Sequence, residues 1–367
     1  MDKKEKKRSF GRKMLIFLVG IFAVIGLLSS FLCAINPMIS PNSFVITSYF
    51  GVSFWPIFLF NLLILLALIV LKAKKAILYP FLALAIAIPG FLNSYSVKKE
   101  HIEPGNIKIM SYNIAHFRDI TDNQRDAQSV KADVIELIKE QNPDILCMQE
   151  CFLRKTKKVD YLAEFAEQIG CEYYYCTSKI GNCLFSKYPL EDDDFTEHFN
   201  EIDDVGFVKL INAGGLGKFY VECVHLQSFS ISKEEIEYLR DAKNYVENSE
   251  TIGKSLIFKL KEGFQKRTED TKTIVGNMPQ NGLPVIICGD FNDTPLSYTY
   301  HQMRNAGMND AFLQVGNGLG KTYCGKLPLL RIDYFWHSDD IVPMTFTRVT
   351  KKMSDHYPII MTFNVTH

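Results

Sequence analysis

The larger, C-terminal part of this sequence lacks an excess of basic residues. The chain holds 41 basic and 41 acidic residues; 12 and 3 of these lie in residues 1–100, which leaves 29 and 38 for the remainder. A domain that binds nucleic acid through its phosphates usually carries a basic surface. The acidic remainder therefore makes a general nuclease less expected, although it does not exclude one.

The nine cysteines form no CxxC motif, and no Cys/His set has zinc-like spacing. Cys147, Cys223 and Cys288 lie in apolar, strand-like segments, where small buried thiols are common. The spacing leaves room for one or two disulfides but predicts no particular pair. The cysteines therefore do not indicate whether the chain lies in an oxidising or a reducing compartment.

Charged residues are absent from Met14 to Leu71, and Asn and Pro residues at 36–42 divide this stretch. About 20 apolar residues suffice to cross a bilayer as a helix. The N-terminal region, residues 1–100, is therefore predicted to hold three transmembrane helices, at about 14–35, 50–71 and 76–92. The third is shorter and carries Pro80 and Pro89. A cleaved signal peptide is the alternative for the first, but its apolar stretch is longer than usual and more apolar segments follow.

The basic N-terminus and the loop at Lys72–Lys75 are expected in the cytoplasm by the positive-inside rule. Three crossings then place a domain of residues 101–367 on the non-cytoplasmic side of a cell membrane; an interfacial third segment would place it in the cytoplasm. The spans carry no ionisable residue that would mark an ion path. We therefore expect a multi-pass anchor in the lipid bilayer, not a channel.

From Ile107 onward, short apolar strands alternate with amphipathic stretches. Residues 126–141 and 160–169 are predicted helices, and the charged segment 233–278 is expected to be largely helical. Predicted strands lie at 107–115, 144–150, 182–190, 217–227, 283–292, 331–337, 345–349 and 358–363. This alternation indicates an α/β layered domain.

Polar residues recur where these strands begin or end. They are Asn113, Glu150, His225, Asp290, Asn292, Asp333, Asp355 and His356. Carboxylate and amide oxygens suit Mg²⁺ or Mn²⁺, and histidines can move protons. A hard cation plus a base is what the hydrolysis of a phosphate ester needs.

Taken singly, several of these residues have simpler interpretations. Glu150 alone would be a solvated strand end, and Asp290 could cap a tight turn that Gly289 permits. His225 could be a hydrogen-bonded core histidine, and Asp333 could pair with Arg331. Together these interpretations are hard to sustain, because all the polar residues occupy the same kind of position.

Seven short motifs occur in a characteristic order: "SYN" (111–113), "QE" (149–150), "SKYP" (186–189), "HLQS" (225–228), "GDFN" (289–292), "RIDY" (331–334) and "SDH" (354–356). In this order they resemble the endonuclease/exonuclease/phosphatase superfamily of DNase I, abasic-site endonucleases, neutral sphingomyelinases and inositol-polyphosphate 5-phosphatases. The resemblance covers about residues 107–366. It implies a DNase I-like four-layer α/β sandwich with the site at one end of two packed sheets.

The resemblance also implies roles for the polar residues. Glu150 would be the main metal ligand, helped by Asn113, and Asp355 would lie beside the metal or the water. Asp290 and Asn292 would orient the attacking water and contact the phosphate. His356, held by Asp333, would be the catalytic histidine, and His225 would stabilise the phosphoryl oxygens in the transition state.

The leading functional prediction is a membrane-anchored hydrolase, dependent on Mg²⁺ or Mn²⁺, that cleaves a phosphodiester or phosphomonoester. Its acidic, tethered domain favours a lipid head group or a small phosphorylated metabolite as substrate. An extracytoplasmic DNA or RNA nuclease and a non-catalytic scaffold of the same fold are the alternatives. No protein partner can be inferred.

Overall fold

The computed structural model describes most of the chain and divides it into two compact units. The first comprises Met1–Ser94 and Thr294–His301, and the second comprises Tyr95–Asp293 and Gln302–His367. The described residues are 3–97, 103–118, 125–153, 160–177, 181–197, 205–229, 235, 249–279, 281–325 and 329–366.

The first unit is built from apolar helices. Their bounds are α1 (Lys3–Ile35), α2 (Pro41–Phe44), α3 (Ile46–Val52), α4 (Phe54–Val70), α5 (Leu78–Ile86) and α6 (Ile88–Ser94), with a 3-10 turn at Asn36–Met38. Of the described helices, only the stretch Phe10–Met38 is long and apolar enough to cross a bilayer by itself. The pair α3 and α4, bent by 72°, would make a second crossing if it is one span.

The third predicted transmembrane helix is not a single helix in the structure. Residues 76–92 are divided between α5 and α6, which have 9 and 7 residues. Each is much shorter than the roughly 20 residues that a straight crossing needs. Pro89 lies at the second position of α6 and has no N–H to continue the hydrogen bonds of the preceding helix, which explains the break. Helix length alone therefore supports one candidate span, and not three separate crossings.

A buried amide joins α1 and α4 inside this unit. Asn61 is fully buried, and its Nδ2 donates to the Gly26 carbonyl at 3.2 Å and to Ser30 Oγ at 3.2 Å. A side chain at Gly26 would collide with Asn61, because an added Cβ would lie 2.2 Å from Asn61 Oδ1. Small residues and amide hydrogen bonds of this kind typically hold apolar helices together.

The second unit contains two six-stranded mixed sheets. The strands are β1 (Ile107–Asn113), β2 (Ile145–Gln149), β3 (Tyr173–Cys176), β4 (Cys183–Ser186), β5 (Leu190–Glu191), β6 (Gly206–Asn212), β7 (Lys218–His225), β8 (Val285–Asp290), β9 (Asn309–Asp310), β10 (Asp333–His337), β11 (Ile341–Arg348) and β12 (Ile359–Val365). One sheet has the order β11-β12-β1-β2-β4-β3 and the other β5-β6-β7-β8-β10-β9. In each sheet one central pair is parallel, β1 with β2 and β7 with β8.

The main core lies between the two sheets. It includes Ile109 and Met361 from the first sheet and Val221, Cys288 and Phe335 from the second, all fully buried. A second core packs the outer face of the first sheet against α7 (Ala127–Gln141) and α8 (Tyr161–Ile169). Further helices in the described part of the chain include α9 (Ser249–Gly276), α10 (Tyr298–Asn305), which begins in the first unit, and α11 (Ala311–Val315). Two mixed sheets flanked by helices confirm the predicted DNase I-like α/β sandwich.

Local signals in the sequence explain where the helices begin and end. Asp126 caps α7 by accepting the Ser129 N–H at 2.9 Å, and Asn142 ends the helix in the left-handed conformation. Asp160 and Gly170 do the same for α8. Of the charged segment 233–278, residues 249–276 form α9, as expected; residues 233–234 and 236–248 lie outside the described residues.

A disulfide joins two neighbouring strands. Cys176 and Cys183 are direct partners in the antiparallel pair β3–β4, with Cα atoms 4.1 Å apart. Spacing alone did not reveal this pair, because it depends on the register of two strands. Cys147, Cys223 and Cys288 are buried thiols, as predicted.

We expect loss of the disulfide to destabilise the second unit. Closing a loop of seven residues' separation restricts the unfolded chain, so the Cys176→Ser/Cys183→Ser double variant should lose about 2 kcal/mol of unfolding free energy. Chemical unfolding of the full chain in detergent, followed by tryptophan fluorescence, measures this loss. A reducing agent should shift the wild type to the same degree and leave the double variant unchanged. An unfolding curve of the wild type that does not respond to reduction would contradict the prediction.

Candidate functional site

Strand register brings three polar residues of the second sheet side by side. His225 at the end of β7 is the direct partner of Asp290 at the end of β8, and Asp290 is the partner of Asp333 at the start of β10. Direct partners on neighbouring strands point to the same face of a sheet. Gly289 allows the close approach of β7 and β8, because its φ is +144° and an added Cβ would lie 1.9 Å from the Val224 carbonyl oxygen.

The first sheet contributes the opposite side of the cluster. Asn113 ends β1 beside Gln149 of β2, and Glu150 follows with a positive φ of 55°. The segment before β12 is tied to this end of β1, because Ser354 Oγ donates to the Asn113 carbonyl oxygen at 2.7 Å. Residues distant in sequence therefore meet where the parallel strands of both sheets end.

Asp290 lies at the centre of the cluster and is almost completely buried, with 1% exposure. Its Oδ2 accepts from Asn113 Nδ2 at 3.0 Å, and its Oδ1 accepts from the Asn292 N–H at 2.8 Å. Nε2 of His356 and Nε2 of His225 lie 3.5 and 3.8 Å from Oδ2. Burial raises the pKa of Asp290, and the neighbouring imidazoles only partly oppose this shift.

His356 is paired with a carboxylate. Its Nδ1 lies 2.9 Å from Oδ2 and 3.1 Å from Oδ1 of Asp333. Burial disfavours the imidazolium, but the charges of Asp333 and Asp290 outweigh it and raise the pKa of His356 well above its usual value. Arg331, the alternative partner of Asp333, instead donates to Asp310 at 2.7 Å.

Glu150 and His225 face each other across the site. Glu150 Oε1 lies 3.4 Å from Asn113 Nδ2 and 3.8 Å from His225 Nε2. This Nε2 is buried and makes no hydrogen bond within the described part of the chain. A core histidine would have satisfied that nitrogen, so the imidazole is better placed for a group that enters the site.

The side chains of three other predicted residues make contacts that differ from those of a simple set of metal ligands. The Asn113 Oδ1 accepts the Ala115 N–H at 3.0 Å, so its NH₂ group faces the carboxylates. The Asn292 side chain donates to the Leu226 carbonyl oxygen at 3.0 Å. Asp355 accepts from Ser354 Oγ at 3.3 Å, beside the cluster. The roles of Asn113 and Asp355 as metal ligands, and of Asn292 as a phosphate contact, stay predictions.

The donor set fits a hard divalent cation. Glu150 and Asp290 offer carboxylate oxygens on either side of Asn113, and the buried charge of Asp290 has no Lys or Arg against it among the described ion pairs. Asp290, Asp333 and His356 also bring ligand atoms within 4.8 Å of one another. However, both oxygens of Asp333 already face Nδ1 of His356, so a cation there would displace that hydrogen bond. The side of the cluster with Glu150 and Asp290 is therefore the better candidate for the cation site.

Two residues that the sequence did not suggest also belong to the cluster. His116 Nε2 lies 3.0 Å from Glu150 Oε2, and the Tyr323 ring packs edge-on against His356 with centroids 5.3 Å apart. Tyr323 reaches His356 through an isolated β-bridge that no local pattern indicates.

The chain was compared with known protein families, curated proteins and solved structures. The sequence profile of the Endonuclease/Exonuclease/phosphatase family matches residues 110–356. A comparison with curated proteins gives no match.

Similar solved structures include the human Nocturnin catalytic domain with bound sulfate (16% identity, TM-score 0.47, 72% of this chain and 97% of that chain). A family protein from Leptotrichia buccalis has 15% identity and a TM-score of 0.46 over 70% and 99% of the two chains. D. rerio TDP2 complexed with a single-strand DNA product has 14% identity and a TM-score of 0.46 over 71% and 99%. The family match extends from β1 to His356 and takes in every strand-end residue of the cluster, so this chain belongs to the endonuclease/exonuclease/phosphatase family.

Proposed function

We propose that this protein is a membrane-anchored hydrolase that uses Mg²⁺ or Mn²⁺ to cleave a phosphate ester. The observation that carries the proposal is the convergence of Glu150, Asp290 and two imidazoles where the strands of both sheets end. A bound divalent cation would neutralise the phosphate and the charge that develops during attack by water. Glu150 and Asp290 are the residues that would hold it.

Asp333, His356, Asp290 and His225 have different roles in holding and moving protons. Asp333 orients the ring of His356 by accepting from Nδ1, so that Nε2 faces Asp290 and the site. The carboxylate of Asp290 accepts the proton of the attacking water, and its Oδ2 lies 3.5 Å from Nε2 of the His356 imidazolium. The free Nε2 of His225 donates to a phosphoryl oxygen as negative charge develops there.

The substrate class follows from charge and tethering. The acidic composition of residues 101–367 disfavours long polyanions, whose binding depends on many cationic contacts. An apolar helix at Phe10–Met38 is suited to keep the domain at a membrane. A lipid head group or a small phosphorylated metabolite is therefore the favoured substrate.

The location follows from the charge distribution of the N-terminal region. Lys and Arg before Met14 and at Lys72–Lys75 favour the cytoplasm for both segments, and the catalytic domain then lies on the other side if residues 76–92 cross. The disulfide Cys176–Cys183 supports this side, because disulfides persist mainly outside the reducing cytosol.

Replacement of Asp333 tests the imidazole pair. Asp333→Asn keeps the size of the side chain but removes the charge that orients and stabilises the His356 imidazolium, so we expect kcat to fall about 10²–10⁴-fold. Hydrolysis of bis-p-nitrophenyl phosphate at saturating Mg²⁺ measures this effect. Asp340→Asn, in the exposed turn after β10, is the matched control and should keep wild-type kcat. A folded Asp333→Asn variant with wild-type kcat would sink the assignment.

Metal removal and a substrate panel test the reaction class. Chelation should abolish hydrolysis, and Mg²⁺ or Mn²⁺ should restore it in the wild type but poorly in Glu150→Gln. Phospholipids, nucleotides and plasmid DNA are then compared, and we expect the first two classes to be cleaved faster than DNA. Plasmid degradation that persists at moderate salt would favour the nuclease instead. No metal-dependent cleavage of any phosphate ester would refute the enzyme and leave the scaffold.

Reporter fusions after His367 test the location. Alkaline phosphatase, which is active only outside the cytoplasm, should be active in this fusion when the full chain is expressed in a bacterial host. A green fluorescent protein fused at the same position should stay dark after export through the general secretory route. The opposite pattern would show that residues 76–92 do not cross and that the domain is cytoplasmic.

A further inference from the structure

A strained turn follows β1 and places one side chain beside the site. Ala115, His116 and Phe117 all have positive φ, at 44°, 57° and 58°. Non-glycine residues avoid this region, at a cost of roughly 1–2 kcal/mol each. The neighbouring hydrogen bonds hold it in place, because the Ala115 N–H donates to Asn113 Oδ1 and the Ile114 N–H donates to the Gln149 carbonyl oxygen at 3.1 Å.

This turn directs His116 at Glu150. Phe117 is buried against the outer core of the first sheet and anchors one side of the turn. His116 stays 42% exposed, with Nε2 only 3.0 Å from Glu150 Oε2. The other carboxylate oxygen, Oε1, faces Asn113 and His225. The two oxygens of Glu150 therefore have separate surroundings.

A stacked ring fixes the plane of the imidazole. His116 and Phe152 lie with centroids 5.0 Å apart and planes 15° apart. Phe152 is itself held, because Gly181 leaves room for its ring and an added Cβ there would lie 2.8 Å from it. The Cys151 N–H also donates to the Gly181 carbonyl oxygen at 2.8 Å. Glu150 and Phe152, which both contact His116, therefore lie in one short segment that the Cys151–Gly181 hydrogen bond holds in place.

We propose that His116 is a positioning residue that holds Oε2 of Glu150 and leaves Oε1 to bind the cation. Mg²⁺ usually takes single carboxylate oxygens in a strict octahedral arrangement. Hydrogen-bond partners of metal ligands contribute about 10–100-fold to metal affinity. An ordinary exposed ion pair would have no such effect and would not require a strained backbone. This inference rests on the proposed metal-dependent function.

Two variants separate the contact with Glu150 from the stacking on Phe152. His116→Phe keeps an aromatic ring against Phe152 but has no donor, whereas His116→Gln keeps an N–H donor at a similar reach without the ring. Mn²⁺ binding to the metal-free full chain in detergent is measured by electron paramagnetic resonance, and Mg²⁺ binding by competition. His301→Phe, on α10, is the control and should keep wild-type affinity and activity.

We expect His116→Phe to weaken cation binding about 10–100-fold and His116→Gln to stay near the wild type. The Mg²⁺ concentration for half-maximal hydrolysis should shift in the same order, and thermal unfolding without metal checks that both variants fold. Wild-type affinity in His116→Phe, or equal losses in both variants, would overturn the proposal while leaving the enzyme intact. A wild type that binds no cation would overturn both this proposal and the proposed function.

Discussion

The site depends on one buried negative charge, that of Asp290. A carboxylate removed from water is costly unless hydrogen bonds and opposite charges compensate for it. Here Asn113 and the Asn292 backbone each donate to it, and two imidazoles face it. The compensating groups come from both sheets and from the segment before β12. The site is therefore complete only when the two sheets are packed face to face.

The long charged helix α9 supports this arrangement from outside the cluster. Its Arg267 is fully buried, donates to Asp293 at 3.1 Å and to the Gln227 carbonyl oxygen at 2.8 Å, and packs on the Phe229 ring. Asp293 and Gln227 lie three and two residues beyond Asp290 and His225. A buried ion pair broken on one side costs about 3–5 kcal/mol. This helix thus holds in place both loops that follow strands β7 and β8.

Local chemistry explains which features the sequence revealed. Strands β7, β8 and β12 and the capped helices α7 and α8 follow from apolar runs, Asp caps and left-handed Asn or Gly. Strands β3, β6 and β9 were not predicted. The Asp333–His356 pair was expected from the family motifs and is present as a hydrogen bond. His116, Tyr323 and the Cys176–Cys183 disulfide were not foreseen, because they depend on strand register and on side-chain positions set by distant segments.

The charges of the cluster also bear on the proposed cation and on the proposed substrate class. Glu150, Asp290 and Asp333 bring three carboxylates, and the described ion pairs set no Lys or Arg against them. A phosphate ester would therefore be repelled from the bare site, and a divalent cation changes the sign of that interaction. The acidic residues in the rest of the domain add to the repulsion of extended polyanions. Their effect on a single phosphate is smaller, because salt screens the repulsion between exposed charges beyond about 10 Å. The same electrostatics thus favours metal dependence and a substrate with few phosphates.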